Sequence, residues 1–309
     1  MRLVFAGTPR VALPALDALI AGDRHEVVAV LTRPDARSGR GHTLTRSPVK
    51  QRALDAGIEV LTPDRPSDPA FLGRLREIDP DCCPVVAYGA LVPPAALEIP
   101  SAGWVNLHFS ILPAWRGAAP VQRALMAGDD ITGASTFQLE AGLDTGPVFG
   151  VMTTDIGARE TAGELLERLS VDGAHLLTAT LDGIEDGTVV PIPQPTEGIT
   201  LAPRLTTDDA RVDWGKAAIV VDRQVRACTP APGAWTRLRD KRVGVGPLIP
   251  LEQDGDLAPG EISTDRDAVL VGTMTGLVRL GEVRPEGRSL MPAADWARGL
   301  RVDVGERFE

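Results

Sequence analysis

The sequence predicts an α/β protein with a mostly parallel sheet and helices on both faces, followed by a small C-terminal β-barrel. Three observations predict this fold class. Strand-like and helix-like runs alternate through about residue 185, which is typical of parallel strands joined by crossover helices. A stretch rich in Pro and turn formers comes next. Short apolar runs follow at the spacing of a small barrel.

The first part of the chain contains a series of buried-strand patterns and amphipathic-helix patterns. Apolar runs predict strands, which are RLVFAG (2–7), EVVAVLT (26–32), IEVLTP (58–63), DCCPVVAYG (81–89), GWVNLHFS (103–110), TGASTFQLE (132–140) and GPVFGVMTTDI (146–156). Helical spacing of apolar residues, closed by Gly or Asp, predicts helices, which are 11–22, 48–57, 69–79, 119–128 and the long run 161–187.

The second part of the chain has a different pattern, with a linker followed by short apolar runs. Residues 189–205 are expected to be a linker between a domain at 1–188 and a domain at 206–309. AAIVVDRQVRAC predicts one helix, and the short apolar runs AWTRL, RVGVGPLI, GEIST, AVLVGT and GLVRLGEV predict the strands of the barrel.

Composition sets limits on function. The chain has 309 residues, 43% apolar and 24% charged, with a formal net charge of −10, so it is not uniformly basic. Cys82, Cys83 and Cys228 show no metal spacing, and reduced thiols in a cytosolic chain are the simple interpretation. No run approaches the ~18 apolar residues of a membrane span, and no signal peptide is recognisable.

Common cofactor motifs are missing from the sequence. The first strand is followed by a single Gly rather than G-x-G-x-x-G, and no acidic residue follows the second strand, which argues against NAD. There is no G-x-x-x-x-G-K-[ST] run. The four histidines lie far apart and lack metal-ligand spacing, so no metal is expected.

Two polar residues interrupt an apolar strand. Asn106 and His108 are two residues apart, which places both on one face at the carboxyl end of the strand, just before a loop. A hydrogen-bonded polar pair is one interpretation. Ligands of open α/β sheets bind at that edge, however, and an amide and an imidazole aimed at one point form an oxyanion site.

Asp144 is a third candidate, in the turn AGLDTGPV between two predicted strands. A turn Asp is usually only a turn former. If this turn folds back to the same sheet edge, the carboxylate would raise the pKa of His108 and favour the imidazolium form.

At this point the sequence resembles a known family. NLHFSILPAWRGAAPVQRA followed by GLDTGP resembles the 10-formyltetrahydrofolate-dependent formyltransferases, and among them those that act on methionyl-tRNA. VFAGTP, VVAYG and ARVDWGKAA support the resemblance, which covers nearly the whole chain. One departure is Ile111 in place of a Leu, a volume-conserving exchange.

The resemblance implies a Rossmann-like catalytic domain, an OB-like domain, and formyl transfer from 10-formyltetrahydrofolate to the amino group of initiator methionyl-tRNA. Asn106, protonated His108 and Asp144 would be catalytic. The co-substrate would lie against the residues Val86, Tyr88, Ser110, Ile111, Leu112 and Pro113. No metal and no membrane are implied, and we expect a cytoplasmic monomer acting in translation initiation.

The basic stretch 33–52 has six Lys/Arg and one Asp, a net charge of +5, and residues 204–246 have nine and five, a net of +4. Such a loop is often only solvated. The resemblance instead implies that Arg37, Arg40, Gly41 and His42 contact the acceptor end of the tRNA, although relatives often have Lys where this chain has His42 and Thr43. The glycines would leave the loop disordered until RNA orders it.

Several alternatives remain open at the level of sequence. A formyltransferase of the same core could act on an amino sugar or on glycinamide ribonucleotide, and a hydrolase could release formate from the same folate. A non-catalytic RNA-binding module is the rival from another class. It would have no use for Asn106, His108 and Asp144 together.

Overall fold

The structure is a computed structural model that describes residues 1–38, 43–251 and 255–309. The chain divides into two compact units. The first unit comprises residues 1–117, 131–154 and 166–202, and the second comprises residues 118–130, 155–165 and 203–309.

A seven-stranded sheet forms the centre of the first unit. The strands up to residue 155 are β1 (Arg2–Gly7), β2 (Glu26–Leu31), β3 (Ala36–Ser38), β4 (Thr43–Thr45), β5 (Glu59–Leu61), β6 (Cys83–Val86), β7 (Trp104–His108), β8 (Ile131–Gln138) and β9 (Val148–Asp155). The sheet order is β5-β2-β1-β6-β7-β8-β9, whereas β3 and β4 form a separate pair. The five strands from β5 to β7 in this order are parallel, and β8 is antiparallel to β7.

Six helices accompany these strands along the chain. They are α1 (Leu13–Ala21), α2 (Pro48–Asp55), α3 (Pro69–Ile78), α4 (Pro94–Leu97), α5 (Pro120–Ala127) and α6 (Ala162–Glu185), with a 3-10 turn at Arg10–Ala12. Their starts follow from local chemistry. The Ser47 hydroxyl accepts the Lys50 N–H at 3.0 Å, and the Asp68 carboxylate accepts the Ala70 N–H at 2.9 Å, each ahead of a Pro in the first turn.

The central strands are buried on both faces, as continuous apolar runs require. β6 is buried at all four positions, and Trp104 in β7 is fully buried with its indole N–H bonded to the Ala96 carbonyl oxygen at 2.8 Å. Polar side chains in this region therefore stand out as departures from the packing pattern.

Besides α5, which lies within residues 118–130, the second unit contains the remaining elements. They are α7 (Ala218–Ala227), β10 (Trp235–Leu238), β11 (Lys241–Val245), β12 (Leu248–Pro250), β13 (Ile262–Thr264), β14 (Val269–Thr273), β15 (Gly276–Leu280), β16 (Glu282–Pro285), β17 (Met291–Pro292) and α8 (Ala293–Leu300). The strands form two four-stranded sheets, β10-β11-β16-β17 and β12-β15-β14-β13, in which neighbouring strands are antiparallel.

The predicted fold class is confirmed, with one difference in the second unit. Its strands do not close into one barrel ladder within the described residues. Gly246 and Pro247 separate β11 from β12, and Gly281 separates β15 from β16, so each chain run passes from one sheet to the other. Pro247 has no N–H to continue the ladder at the first crossing. In the described part of the chain, no helix has the length and apolar character needed to cross a bilayer.

Candidate active site

The carboxyl end of β7 holds the two polar residues of the strand. β7 lies between β6 and β8, so its last residues open onto the edge where ligands of α/β sheets bind. Asn106 is partly exposed, and His108 is 6% exposed. Leu107 between them points to the opposite face, where it packs against Gly173 of α6.

The imidazole of His108 is held at a defined tautomer. Nε2 lies 2.9 Å from the carbonyl oxygen of Trp115. Because a carbonyl only accepts hydrogen bonds, Nε2 carries the proton. In the neutral ring, Nδ1 therefore has a free lone pair. The ring of Phe137 meets the imidazole edge to face at 6.3 Å between centroids.

Asp144 does fold back to the same edge. It lies in the turn between β8 and β9 with a left-handed φ of 50°, and its side chain is 12% exposed. Its Oδ2 accepts the N–H of Gly117 at 2.7 Å and lies 3.8 Å from Nδ1 of His108. Sequence reasoning therefore selected three residues, and two of them form a close pair in the structure.

The Asp144 carboxylate acts to raise the pKa of His108, as expected, but the imidazolium form that was expected from it is wrong for the free protein. Burial lowers the pKa of His108 below its ordinary value, although the Asp144 carboxylate and the Trp115 carbonyl both act to raise it. Desolvation of the charged ring outweighs the attraction of the carboxylate. At neutral pH the imidazole of the free protein is consequently neutral, with Nδ1 available as a proton acceptor.

Asn106 offers a polar group that the protein itself does not use. Its side-chain amide makes no hydrogen bond within the described residues, and the residue is partly exposed. The Cα atoms of Asn106 and His108 are about 6.6 Å apart along an extended strand.

The segment Ser110–Pro113 packs firmly next to the site. The Ser110 hydroxyl donates to the Ala114 carbonyl oxygen at 2.6 Å. The Ser135 hydroxyl donates to the Ser110 carbonyl oxygen at 2.7 Å and accepts the Leu112 N–H at 3.1 Å. Ser110 and Leu112 are buried, whereas Ile111 and Pro113 are partly exposed. Ile111 and Pro113 are the members of this segment that present surface.

The turn after β6 leaves backbone donors free. Val86 and Tyr88 have buried side chains, and the Tyr88 carbonyl oxygen accepts the Thr8 hydroxyl at 2.8 Å. The N–H groups of residues 89–91 have no acceptor in the described part of the chain, and Leu91 is 84% exposed.

The arginine-rich stretch contains a short antiparallel pair that the sequence did not predict, formed by β3 and β4. Arg37 lies in β3. Arg40, Gly41 and His42, the other predicted tRNA contacts, lie outside the described residues. Lys50, near the end of the basic stretch, pairs with Asp35 at 2.7 Å.

Sequence reasoning missed Gln194 and Thr200. Both lie in the stretch expected to be a linker, yet they hydrogen bond to residues of the loop after β7. The Thr200 hydroxyl accepts the Trp115 N–H at 2.8 Å, and the Gln194 amide contacts Arg116 and the Asp144 turn. Pro and turn formers dominate this stretch, so neither helical nor strand spacing marked these residues.

The remaining sequence candidates do not form a second site. In the described parts of the chain, no group of three His, Cys, Asp or Glu residues could hold a metal ion. All three cysteines are buried and free. Burial raises the pKa of Cys82 to about 12 and that of Cys228 to about 11.

Fold and site together indicate an α/β enzyme with polar groups gathered at the carboxyl edge of its sheet. Comparison with protein families agrees with this class. A model described as "Formyl transferase" matches residues 1–181, and one described as "Formyl transferase, C-terminal domain" matches residues 204–301.

Full-length relatives narrow the assignment. A methionyl-tRNA formyltransferase of Salinispora arenicola is 63% identical over 306 residues, covering 99% of each chain. One from Thermobifida fusca is 64% identical over 309 residues, covering 100% of this chain and 99% of its own. The chain belongs to the formyl transferase family, within its methionyl-tRNA formyltransferase group. The resemblance seen in the motifs is thereby confirmed.

Solved structures agree on the fold. HypX from Aquifex aeolicus in complex with tetrahydrofolic acid superimposes with a TM-score of 0.64 at 20% identity, covering 99% of this chain and 48% of that one. A methionyl-tRNA formyltransferase from Clostridium thermocellum gives a TM-score of 0.57 at 14% identity, covering 91% and 98%.

Proposed function

We propose that this protein transfers the formyl group of 10-formyltetrahydrofolate to the free amino group of initiator methionyl-tRNA. The observation that carries the proposal is the placement of Asn106 and His108 on one face at the end of β7, with the Asp144 carboxylate 3.8 Å from Nδ1 of His108. Full-length relatives of more than 60% identity that are named for this activity support it. The acceptor amine and the formyl donor are both substrates, and the protein supplies the polar groups around them.

The described residues fit a folate co-substrate. A pterin is a flat heterocycle with donors and acceptors on its edge, and the unused N–H groups of residues 89–91 suit such an edge. The exposed Leu91 and the partly exposed Ile111 and Pro113 offer apolar surface nearby in the same unit. Val86, Tyr88, Ser110 and Leu112 would shape this wall from beneath, through packing and backbone groups.

The chemistry begins with attack of the amine nitrogen on the formyl carbon. The carbonyl π electrons move to the formyl oxygen, which becomes negative. The Asn106 amide, which has no other partner in the described chain, would donate to that oxygen. Removal of one such donor typically costs about 10²–10³ in rate.

His108 has a role that follows from its tautomer. Nε2–H is bound to the Trp115 carbonyl oxygen, so Nδ1 is the atom that would accept the proton leaving the attacking amine, directly or through one water. The imidazolium formed in this way would face the negative formyl oxygen. Protonated His108 is thus a species of the reaction rather than of the free enzyme.

Asp144 would stabilise that imidazolium. Its Oδ2 is 3.8 Å from Nδ1 and is fixed by the Gly117 N–H. As the bond from the formyl carbon to N10 breaks, N10 receives the proton that His108 collected, and the products are the formylated amine and tetrahydrofolate. The buried thiols, whose pKa values are raised, are poor nucleophiles, so direct transfer without a covalent enzyme intermediate is the simpler route.

The tRNA partner fits basic regions of an otherwise acidic chain. We propose that Arg37, Arg40, Gly41 and His42 contact the acceptor end, as the family resemblance implies. In the second unit, Lys241 and Arg242 lie beside Arg239 and Arg288 in the lining of one cavity of about 300 Å³. Trp214 and Trp235 are buried and hydrogen bonded, so their rings would not stack on bases.

Three broader expectations complete the proposal. The enzyme would act in the cytoplasm, where initiator tRNA is charged, and it would act as a monomer. Residues 1–188 would form the catalytic domain, 189–205 the connection, and 206–309 the tRNA-binding domain. Sedimentation equilibrium would test the monomer.

A direct assay tests the function. The protein is mixed with 10-formyltetrahydrofolate and charged initiator tRNA, and N-formylmethionine is measured after hydrolysis of the ester. Glycinamide ribonucleotide and a nucleotide-linked amino sugar replace the tRNA as competing acceptors. We expect turnover with the tRNA alone. Turnover with either small acceptor and not with tRNA would overturn the proposal.

The variant His108→Ala separates catalysis from binding. We expect this variant to lose turnover by about 10²-fold or more while its affinity for tRNA stays within about twofold, because the imidazole acts only in the reaction. Unchanged turnover would remove His108 from the reaction, whereas no turnover in the wild type and the variant alike, with tRNA binding retained, would indicate an RNA-binding module.

A further inference from the structure

Gln194 joins the two loops that hold the catalytic pair. Its Nε2 donates to the carbonyl oxygens of Asp144 and Gly146, at 2.8 Å each. Its Oε1 accepts from Nε of Arg116 at 3.1 Å and from Nη2 at 2.6 Å. One side-chain amide therefore connects the turn between β8 and β9 to the loop after β7.

The two joined loops are the ones that fix His108 and Asp144. The Trp115 carbonyl oxygen orients the imidazole, and the Gly117 N–H orients the Asp144 carboxylate. Arg116 lies between Trp115 and Gly117, so Gln194 hydrogen bonds to the residue that connects the two orienting groups. These hydrogen bonds link the loop that orients His108 to the turn that carries Asp144.

The same loop is held on its other side by the segment that follows Gln194. The Arg116 N–H donates to the Thr200 carbonyl oxygen at 2.9 Å, and the Arg116 carbonyl oxygen accepts the Ala202 N–H at 2.7 Å. An added Cβ at Gly117 would meet the Ala202 carbonyl oxygen at 2.6 Å, so the two backbones approach closely. The stretch from Gln194 to Ala202 thus forms a wall of the site.

Only an amide fits the position of Gln194. Two backbone carbonyls require two N–H donors, and a guanidinium requires an acceptor, and the neutral head group that offers both is a carboxamide. A carboxylate would keep the contact with Arg116 but would turn lone pairs towards the carbonyls of Asp144 and Gly146. Ala would leave all these groups without a partner.

The backbone of Asp144 needs this support. Its φ of 50° lies in the left-handed region, which a non-Gly residue keeps only when its surroundings impose it. The two hydrogen bonds from Gln194 lie at the carbonyl of Asp144 itself and two residues later. Without them the turn would relax, and the carboxylate would leave its place 3.8 Å from the imidazole.

We propose that Gln194 is a positioning residue for formyl transfer, which holds the Asp144 turn against the Trp115–Gly117 loop and so fixes the distance between Asp144 and His108. This inference rests on the proposed function of that pair. Gln194 touches neither the reacting atoms nor the catalytic side chains, and it acts through the backbone on either side of them.

The test compares Gln194→Ala and Gln194→Glu with a matched pair of controls. Gln224 in the second unit makes the same kind of clamp, since its Nε2 donates to the carbonyl oxygens of Asp209 at 2.9 Å and Arg211 at 2.8 Å. Gln224→Ala and Gln224→Glu therefore remove an equivalent two-carbonyl contact away from the catalytic pair. Measurements are kcat, KM for each substrate, and the NMR titration of His108.

We expect both Gln194 variants to lower kcat by about tenfold to 100-fold, the range that a displacement of about 1 Å produces, with KM for the folate within about threefold. In Gln194→Ala the pKa of His108 should fall further, because the carboxylate that raises it is no longer held in place. The kcat of Gln194→Glu should also fall, although the new carboxylate can still accept hydrogen bonds from Arg116. The Gln224 variants should leave kcat and the His108 titration unchanged.

A titration of His108 that matches the wild type in Gln194→Ala would overturn the proposal, as would kcat within twofold of the wild type in Gln194→Glu. Equal losses of kcat in the Gln194 and Gln224 variants would also overturn it, since they would indicate a general loss of structure. Failure of the proposed function is distinguishable, because wild-type protein would then form no N-formylmethionine while the titration of His108 could still be compared.

Discussion

The protonation state of His108 is the property of a single residue on which the mechanism depends. Burial lowers its pKa, and the neighbouring carboxylate raises it. Asp144→Asn removes the raising influence and leaves burial in place, so the pKa of His108 should fall further below 6.5. Isotope-edited NMR measures this directly, because the chain has only four histidines and His108→Gln identifies the signal.

The lowered pKa of His108 should also make the folding stability depend on pH. A histidine whose pKa is lower in the folded state binds more protons when unfolded, so its contribution to stability is lost as the pH falls through about 6.5 towards the folded pKa. His108→Gln should therefore reduce the loss of stability over that range. A His108 pKa above 6.5 in the wild type, or one that rises in Asp144→Asn, would contradict this account.

Among the individual residues of the site, only some could be predicted from the sequence. Asn106 and His108 could be predicted because polar residues two apart in a buried strand are conspicuous. Asp144 could be proposed because a turn Asp followed a predicted strand, but its meeting with His108 depends on β8 and β9 lying beside β7. Gln194 could not be predicted, because its contacts are with backbone atoms whose positions exist only in the folded chain.

The turn between β8 and β9 is the element that carries Asp144. An added Cβ at Gly146 would overlap the Gln138 carbonyl oxygen, a backbone atom at the end of β8. Gly146→Ala must therefore shift the turn and the carboxylate with it, and kcat should fall by about 10²-fold. Steady-state kinetics with both substrates measures the effect.

Gly142→Ala is the matched control in the same turn. The three atoms nearest to a Cβ at Gly142 all belong to the side chain of Thr145, and the closest is its hydroxyl oxygen, which rotation about the Cα–Cβ bond can move away. We expect kcat within about threefold of the wild type. Equal losses in the two variants would show that the turn tolerates no substitution at all, and the argument from the Gln138 carbonyl would fail.

Elements with a strong period were predicted, and those set by long-range contacts were not. The long helix α6 and the helix α7 follow from leucine and valine spacing, and the parallel strands follow from continuous apolar runs. The pair β3–β4 has only three residues in each strand and no apolar alternation. The division of the second unit into two sheets depends on the crossings at Gly246-Pro247 and Gly281, which sequence alone reads as ordinary turns.

At the scale of the whole molecule, the net negative charge of the protein opposes the binding of tRNA, which is itself a polyanion. The total charge is −10, but two basic regions carry +5 and +4, so the rest of the chain carries −19. Phosphates respond to local charge within about 10 Å at ordinary ionic strength, and not to the distant sum. The affinity for tRNA should therefore fall steeply with salt, because each phosphate contact releases counterions.

The variant Arg242→Gln tests this view in the second unit. The Arg242 guanidinium stacks 4.4 Å from the ring centroid of Trp235 and has no carboxylate within ion-pair distance among the described residues. If it contacts one phosphate, its loss should reduce the slope of log affinity against log salt by about 0.7–0.9. Arg74→Gln is the control, since the exposed Arg74 in the first unit is already paired with Glu59 at 2.7 Å and Glu77 at 3.0 Å. Filter binding across a salt series should give Arg74→Gln the wild-type slope, and a wild-type slope for Arg242→Gln would remove this arginine from the tRNA surface.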